Sequence, residues 1–278
     1  MIIVDAQVHI WAPPTKQRPW VEGGERYAHR AGNPLGATEL IRLMDGAGVN
    51  RSILVPPSWE GYRNDVVEEA ATAHPLRFAW MGRVRLDRRV QAQALLRSLH
   101  SRAGALGVRL TFVRGIERGW LHDGTADWFW REAAALGLPV MVFAPDGLDV
   151  IERTARMFPD LRLIVDHLGI PTESGEHGIA TWVEPLLRLS ELRNVAVKAS
   201  ALPCAAREPY PFASTHWAVQ TVVEHYGADR VFWGSDLTRL PCTYEQAVTL
   251  FTRELAFLKG DELAQVMGGG ILKWLAWS

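Results

Sequence analysis

The chain has 278 residues, a formal net charge of −1 and only two cysteines, Cys204 and Cys242. Interspersed charges of both signs argue against a nucleic-acid-binding surface, and no polybasic tract indicates contact with a membrane. The cysteines lack metal-ligand spacing, which argues against a zinc ribbon or a disulfide framework. Since no apolar run could span a bilayer and no charged leader precedes the first strand, the sequence predicts a cytoplasmic protein that acts on a small molecule.

Strands and helices are predicted to alternate along the chain. Predicted strands occupy residues 1–11, 51–55, 77–84, 108–113, 139–144, 161–167, 194–199 and 230–233. Predicted helices occupy residues 38–47, 64–74, 90–103, 127–136, 148–158, 179–192, 212–226, 244–258 and 261–277. Eight β–α units with apolar strands predict an α/β fold, a single (β/α)8 TIM barrel over residues 1–278. The alternative, a doubly wound open sheet, needs a glycine-rich phosphate-binding turn that the sequence lacks.

Three local signals refine this arrangement. Thr38 is the predicted N-cap of the first helix. Pro185 is expected to break or kink the helix at residues 179–192. Residues 12–36 form an unusually long loop, and loops of that length in compact domains are usually functional or disordered. Trp20 of this loop is predicted to fold over a site and contact the substrate.

Polar side chains cluster at the predicted carboxyl ends of the strands, where (β/α)8 barrels hold their active sites. Gln7 and His9 are two apart on the first strand and therefore share a face. The other strand ends carry Arg83, Arg85, Arg109, Asp166, His167, Lys198, Ser200 and Asp236. Each has a simpler interpretation, because a lone strand-end histidine is usually a core residue and Asp166 could pair with an arginine. Their convergence in one barrel mouth favours a functional interpretation.

Three segments in this order resemble the amidohydrolase superfamily: DAQVHIW at residues 5–11, VDHLG at 165–169 and WGSD at 233–236. The nearest branch is the amidohydrolase-related group that contains sugar and dicarboxylate lactonases. The resemblance spans nearly the whole chain. It implies hydrolysis on a barrel, with metal held by a His-x-His motif on the first strand and with a strand-eight aspartate that activates water.

Three departures from that family pattern bear on the metal. Gln7 stands where the first histidine of the motif would be. Phe143 stands about where the family often has a metal-binding histidine on strand five, and Arg109 stands on strand four in place of the lysine or glutamate that bridges two metals. They argue against a binuclear site. A single divalent ion, most readily zinc, would use His9, His167 and Asp236 as ligands, and the alternative is a site without metal.

The resemblance and the departures together predict hydrolysis of a small carboxylated or sugar-derived lactone. Asp236 is the expected general base for water, and His167 and His9 are expected to donate hydrogen bonds to the developing oxyanion. The predicted substrate-binding residues are Gln7, Arg83, Arg109, Lys198 and Trp20. Two alternatives stay open: a metal-dependent amidohydrolase or non-oxidative decarboxylase of a small aromatic acid, and a non-catalytic barrel that binds a small molecule. The sequence leaves the oligomeric state open, with a homo-oligomer among the possibilities.

Overall fold

The computed structural model describes residues 1–171 and 178–278, in which eight parallel strands pair in chain order. They are β1 Val4–Val8, β2 Arg51–Leu54, β3 Phe78–Gly82, β4 Ala105–Thr111, β5 Val140–Phe143, β6 Leu163–Val165, β7 Val195–Ser200 and β8 Val231–Gly234. The backbone N–H of Asp236 donates to the carbonyl of Gln7 at 2.9 Å, which brings the end of β8 back to β1. The sheet is therefore a nearly closed barrel, and the predicted (β/α)8 fold is confirmed.

Helices cover the outside of this barrel. They are α1 Ala37–Ala47, α2 Asp65–Ala73, α3 Arg89–Leu99, α4 Asp127–Ala135, α5 Leu148–Met157, α6 Ala180–Leu187, α7 His216–Tyr226, α8 Tyr244–Thr249, α9 Gly260–Ala264 and α10 Gly270–Leu275. Within the described ranges, no helix is both long enough and apolar enough to cross a bilayer.

Several predicted helix boundaries are wrong for local reasons. The N-cap of α1 is Gly36 and not Thr38, which lies inside the helix. By contrast, the break expected in the helix over 179–192 is observed, since the helix that contains Pro185 ends at Leu187 and tightens into a 3₁₀ turn. The predicted C-terminal helix is also divided, by a π turn at Gln265–Gly269.

Gly268 explains that division. A Cβ atom at this position would lie 2.7 Å from the carbonyl oxygen of Ile2, so only glycine allows the turn to approach β1 this closely. The following helix α10 then places Ile271 and Leu275 in one apolar cluster with Val4 and other inward-facing strand residues. The amino end of the barrel is thereby sealed, which leaves the carboxyl end as the open one.

At this open end of the barrel, strands end earlier in the sequence than predicted. The strand predicted over 161–167 stops at Val165, and Asp166 begins a tight turn. In this turn His167 has a φ of 55°, and Asp236, just after β8, has a φ of 53°. Such left-handed conformations are unfavourable for non-glycine residues and cluster at functional sites. Both side chains therefore owe their positions to strained turns and not to strand alternation.

Candidate active site

A cavity of about 590 Å³ opens at the carboxyl end of the barrel. Its wall includes His9 from the end of β1, Arg109 from β4 and Phe143 from β5. The long loop at residues 12–36 folds over it, as the sequence predicts, and contributes Tyr27 and His29 to the lining. The volume suits a small-molecule ligand.

Asp236 lines this cavity and is 1% exposed. Its Oδ1 atom is 3.3 Å from His9 Nε2, and its Oδ2 atom is 3.8 Å from His167 Nε2. Arg239 Nη1 is 3.4 Å from Oδ2. Burial favours the neutral acid, but the electrostatic influence of His9, His167 and Arg239 outweighs it and holds the pKa of Asp236 well below its usual range. Asp236 is therefore a carboxylate at neutral pH.

The two histidines are oriented through their other ring nitrogens. His9 Nδ1 is 2.7 Å from the carbonyl oxygen of Val55, and His167 Nδ1 is 2.8 Å from Ser200 Oγ. A carbonyl can only accept, so His9 carries its hydrogen on Nδ1 when neutral and its Nε2 is an acceptor. The Gln7 amide nitrogen is 3.4 Å from His9 Nε2, longer than a normal hydrogen bond, so the lone pair of Nε2 stays available to a closer donor.

Burial is also the main influence on the protonation of these rings. It lowers the pKa of His9 to about 4 and that of His167 to about 4, although Asp236 opposes the shift in both. The positive charge of Arg109 lowers both values further. Both imidazoles are therefore neutral at pH 7.

Gln7 and Lys198 lie beneath the cavity and do not line it. Lys198 is fully buried, and its Nζ is 2.7 Å from Asp166 Oδ1 and 2.5 Å from Gln7 Oε1. Arg109 Nε holds the other Asp166 oxygen at 3.0 Å. The predicted substrate contacts of Gln7 and Lys198 are thus replaced in the structure by contacts within the protein. These four residues form a buried polar network that fixes Gln7 against His9.

Arg83 differs from Arg109 because it has no acidic partner. It is 6% exposed, its Nε donates to the carbonyl of Gly61 at 2.9 Å, and it has no ion pair with a carboxylate of residues 1–171 and 178–278, although the charge of Glu117 favours its protonated form. Burial and the charge of Arg109 lower the pKa of Arg83 to about 10, which leaves it protonated at neutral pH. A buried cation without a counter-ion is costly, so a site for an anion is the natural explanation.

An aromatic wall faces these charges. Trp59 packs against His9 and His29 with ring centroids 6.1 and 4.7 Å apart, and Phe143 packs against His167 at 5.1 Å. Trp20 lies behind Trp59 at 6.4 Å and is outside the cavity lining, contrary to the predicted substrate contact.

Sequence reasoning missed several residues that line the cavity. They are Tyr27, His29, Trp59, Tyr62, Arg114, Glu117 and Arg239. All lie on connections between strands and helices, where no periodicity indicates which side chains point inward. The only available signal was the unusual length of residues 12–36.

The described side chains do not form a metal site. Within residues 1–171 and 178–278, no group of three or more His, Cys, Asp or Glu side chains is arranged to hold a metal ion. The charge of Arg109 opposes positive charge on both His9 and His167, and Arg83 adds to this at His9. The negative charge of Asp236 has the opposite and larger effect on both rings, so the misfit of the three predicted zinc ligands rests on their arrangement, and the side chains themselves supply the chemistry.

Comparison with known proteins agrees with this architecture. The chain is 25% identical over 236 residues, 84% of this chain and 79% of the relative, to L-fucono-1,5-lactonase from Burkholderia ambifaria. A probable 2-pyrone-4,6-dicarboxylic acid hydrolase from Acinetobacter baumannii with citric acid bound has the same fold, with a TM-score of 0.78, 20% identity and full coverage of both chains. An amidohydrolase from Burkholderia multivorans with bound zinc gives a TM-score of 0.78 at 20% identity over 99% of each chain.

The family assignment itself comes from the sequence. Residues 4–276 match the family model described as Amidohydrolase, which is nearly the whole chain. The resemblance first seen in the strand-end motifs around His9, His167 and Asp236 therefore extends from β1 to α10. The chain belongs to the amidohydrolase family of hydrolases.

Proposed function

We propose that this protein hydrolyses a small lactone that carries a carboxylate, without a metal ion. The observation that carries the proposal is the pair of buried acceptors, His9 Nε2 and Asp236 Oδ1, 3.3 Å apart at the cavity. In addition, Asp236 Oδ1 has no hydrogen-bond partner within the described residues. A water molecule has two hydrogens and can donate one to each acceptor, which turns an oxygen lone pair toward a bound carbonyl.

The first step follows from that arrangement. The water oxygen forms a bond to the lactone carbonyl carbon while one water proton moves to the carboxylate of Asp236. His9 accepts a hydrogen bond from the same water and fixes its direction. This replaces the role predicted from sequence for His9, because a neutral ring anchored at Val55 has no Nε2 hydrogen to give an oxyanion.

His167 is suited to the oxyanion. Ser200 Oγ can donate to His167 Nδ1, in which case His167 carries its hydrogen on Nε2. This nitrogen is 3.8 Å from Asp236 Oδ2, too far for a good hydrogen bond, so its hydrogen is available to a substrate oxygen. A preorganised donor of this kind is effective because His167 is buried and already oriented by Ser200.

Arg83 supplies the preference for a carboxylated substrate. Its guanidinium lines the same cavity as Asp236 and lacks a counter-ion. A guanidinium binds a carboxylate through two parallel hydrogen bonds, which would also orient the lactone ring. The lactonase name of the Burkholderia ambifaria relative supports an ester-type bond, which needs less activation than an amide.

The test is a hydrolysis assay on paired lactones that differ only in a carboxylate, with acid release followed in a pH-stat. We expect turnover of the carboxylated members by protein dialysed against chelator, and loss of turnover in Asp236→Asn. Turnover that requires added zinc would favour the metal-dependent amidohydrolase or decarboxylase instead. Binding without turnover across the panel would favour the non-catalytic barrel.

A further inference from the structure

A third histidine lies at the cavity beside the two that flank Asp236. His29 belongs to the long loop after β1 and lines the cavity together with Asp236. Its ring is edge-on to His9, with centroids 5.5 Å apart, and packs on Trp59 at 4.7 Å. No step of the mechanism described so far uses it.

His29 is joined to the turn that carries Asp236. Its Nδ1 is 2.7 Å from Thr238 Oγ1, and Thr238 is two residues after Asp236. Because Nδ1 is engaged at Thr238, Nε2 is the ring nitrogen left for a ligand, and within the described chain it has no hydrogen-bond partner. Burial, more than any other influence, lowers the pKa of His29 to about 3, so the ring is neutral.

A neutral ring can place its one hydrogen on either nitrogen. When the Thr238 hydroxyl donates to Nδ1, the hydrogen resides on Nε2, the nitrogen that Thr238 does not engage in this cavity-lining residue. A simple packing role on Trp59 would need no hydroxyl partner at Nδ1. The anchoring at Thr238 therefore favours a group that is held in place to meet the substrate.

We propose that His29 is a catalytic residue that hydrogen-bonds the ring oxygen of the lactone as that oxygen leaves. The inference rests on the proposed lactone hydrolysis. In the tetrahedral intermediate the bond between the carbonyl carbon and the ring oxygen breaks, and the electron pair remains on the oxygen. That oxygen receives the proton that Asp236 took from water, while His29 keeps its own proton and stabilises the developing charge. The product is the ring-opened hydroxy acid.

If His29 has this role, the loss of activity on replacing it should depend on the alcohol that the lactone releases. An alkoxide is a poorer leaving group than a phenoxide, so donation by His29 matters more when an alkyl alcohol is released. The two probes are a carboxylated δ-valerolactone, which releases an alcohol, and a carboxylated dihydrocoumarin, which releases a phenol.

We expect His29→Leu to lower kcat/KM about 100-fold for the valerolactone and only about 3-fold for the dihydrocoumarin, because loss of one such donor costs roughly 10²–10³ in rate when charge fully develops. His29→Gln keeps an N–H donor at similar reach and should recover much of the valerolactone activity. The exposed His225 on α7 offers the matched control His225→Gln, which should change neither rate.

Thr238→Val gives a second, milder probe, because it removes the hydroxyl that orients His29 without removing the imidazole. We expect the same selective loss at about 10-fold on the valerolactone. Equal losses on both probes in the His29 and Thr238 variants, or no loss, would overturn the role of His29 while leaving lactone hydrolysis intact. Failure of the wild-type protein to open either probe would instead overturn the proposed function.

Discussion

His9 Nε2 lies 3.3 Å from Asp236 Oδ1, and the contact of His9 Nδ1 with the carbonyl of Val55 makes both facing atoms acceptors. Two buried acceptors at this separation are unfavourable unless one donor group binds both of them. A water molecule meets that requirement, and in the proposed mechanism this water is the nucleophile. This distinguishes the roles of the two histidines, since His167 is the one that can donate.

Removal of the general base should abolish turnover. We expect Asp236→Asn to lower kcat by about 10²–10⁴, because the amide cannot accept the water proton. Circular dichroism should show an unchanged fold, and the exposed Asp261→Asn serves as a control with normal activity. A variant that retains wild-type kcat would contradict the assignment of Asp236.

Arg83 should control the preference for a carboxylate. We expect Arg83→Met to raise KM about 100-fold for carboxylated lactones, with little effect on their neutral counterparts, because one charge-assisted pair contributes roughly 1.5–3 kcal/mol. Arg85→Met is the matched control, since Arg85 is two residues away but pairs with Asp87 outside the cavity. Equal changes for charged and neutral lactones would assign Arg83 a structural role.

Lys198 should matter for stability more than for substrate affinity. Its ammonium is fully buried against Asp166, so Lys198→Met leaves a buried carboxylate with one cation fewer and should cost about 3–5 kcal/mol of the free energy of unfolding. Urea denaturation measures this loss. The double variant Lys198→Met/Asp166→Asn should recover part of it. Normal stability combined with a raised KM would instead support the direct substrate contact predicted from sequence.

Acid should destabilise the protein through its buried histidines. The folded pKa of His167 is lowered to about 4, whereas an unfolded histidine titrates near 6.5. Between these values the unfolded chain binds the proton and the folded chain does not, so the stability present above pH 6.5 is lost as pH falls toward 4. Between pH 7 and pH 5 the titration of this group alone should lower the free energy of unfolding by about 2 kcal/mol. In chemical denaturation, the stability of His167→Gln should therefore depend less steeply on pH than that of the wild-type protein.

Metal content provides an independent check. We expect elemental analysis of the dialysed protein to find well below one metal ion per chain, with lactone turnover unchanged by chelator, because the described His, Cys, Asp and Glu side chains form no group of three arranged to hold a metal ion. One tightly held zinc per chain, with activity that follows it, would restore the predicted ligand set of His9, His167 and Asp236.

The sequence predicted the barrel because its eight apolar strands alternate regularly with helices, and this pattern can be recognised from short stretches of sequence. It also placed His9, His167 and Asp236 together, because strand ends of a parallel barrel share one rim. It could not predict that His167 and Asp236 adopt left-handed backbone conformations, since those depend on the turns that tertiary contacts impose.

Other errors have equally physical causes. A lysine at a strand end could face either the cavity or the interior, and only the position of Asp166 decides that Lys198 is buried. His29 lies in a loop where neither periodicity nor a motif marks it. Its role depends on Thr238, which is distant in sequence but adjacent in space.

The return of β8 to β1 also constrains how the protein is synthesised. Until β8 and α10 have left the ribosome, β1 has an exposed edge and the apolar side chains of Val4 and Ile53 lack the cover of Ile271. Contacts between such distant segments form slowly. The edge of β1 and this apolar surface are therefore exposed until the last strand arrives, and exposed strand edges of this kind are prone to aggregate.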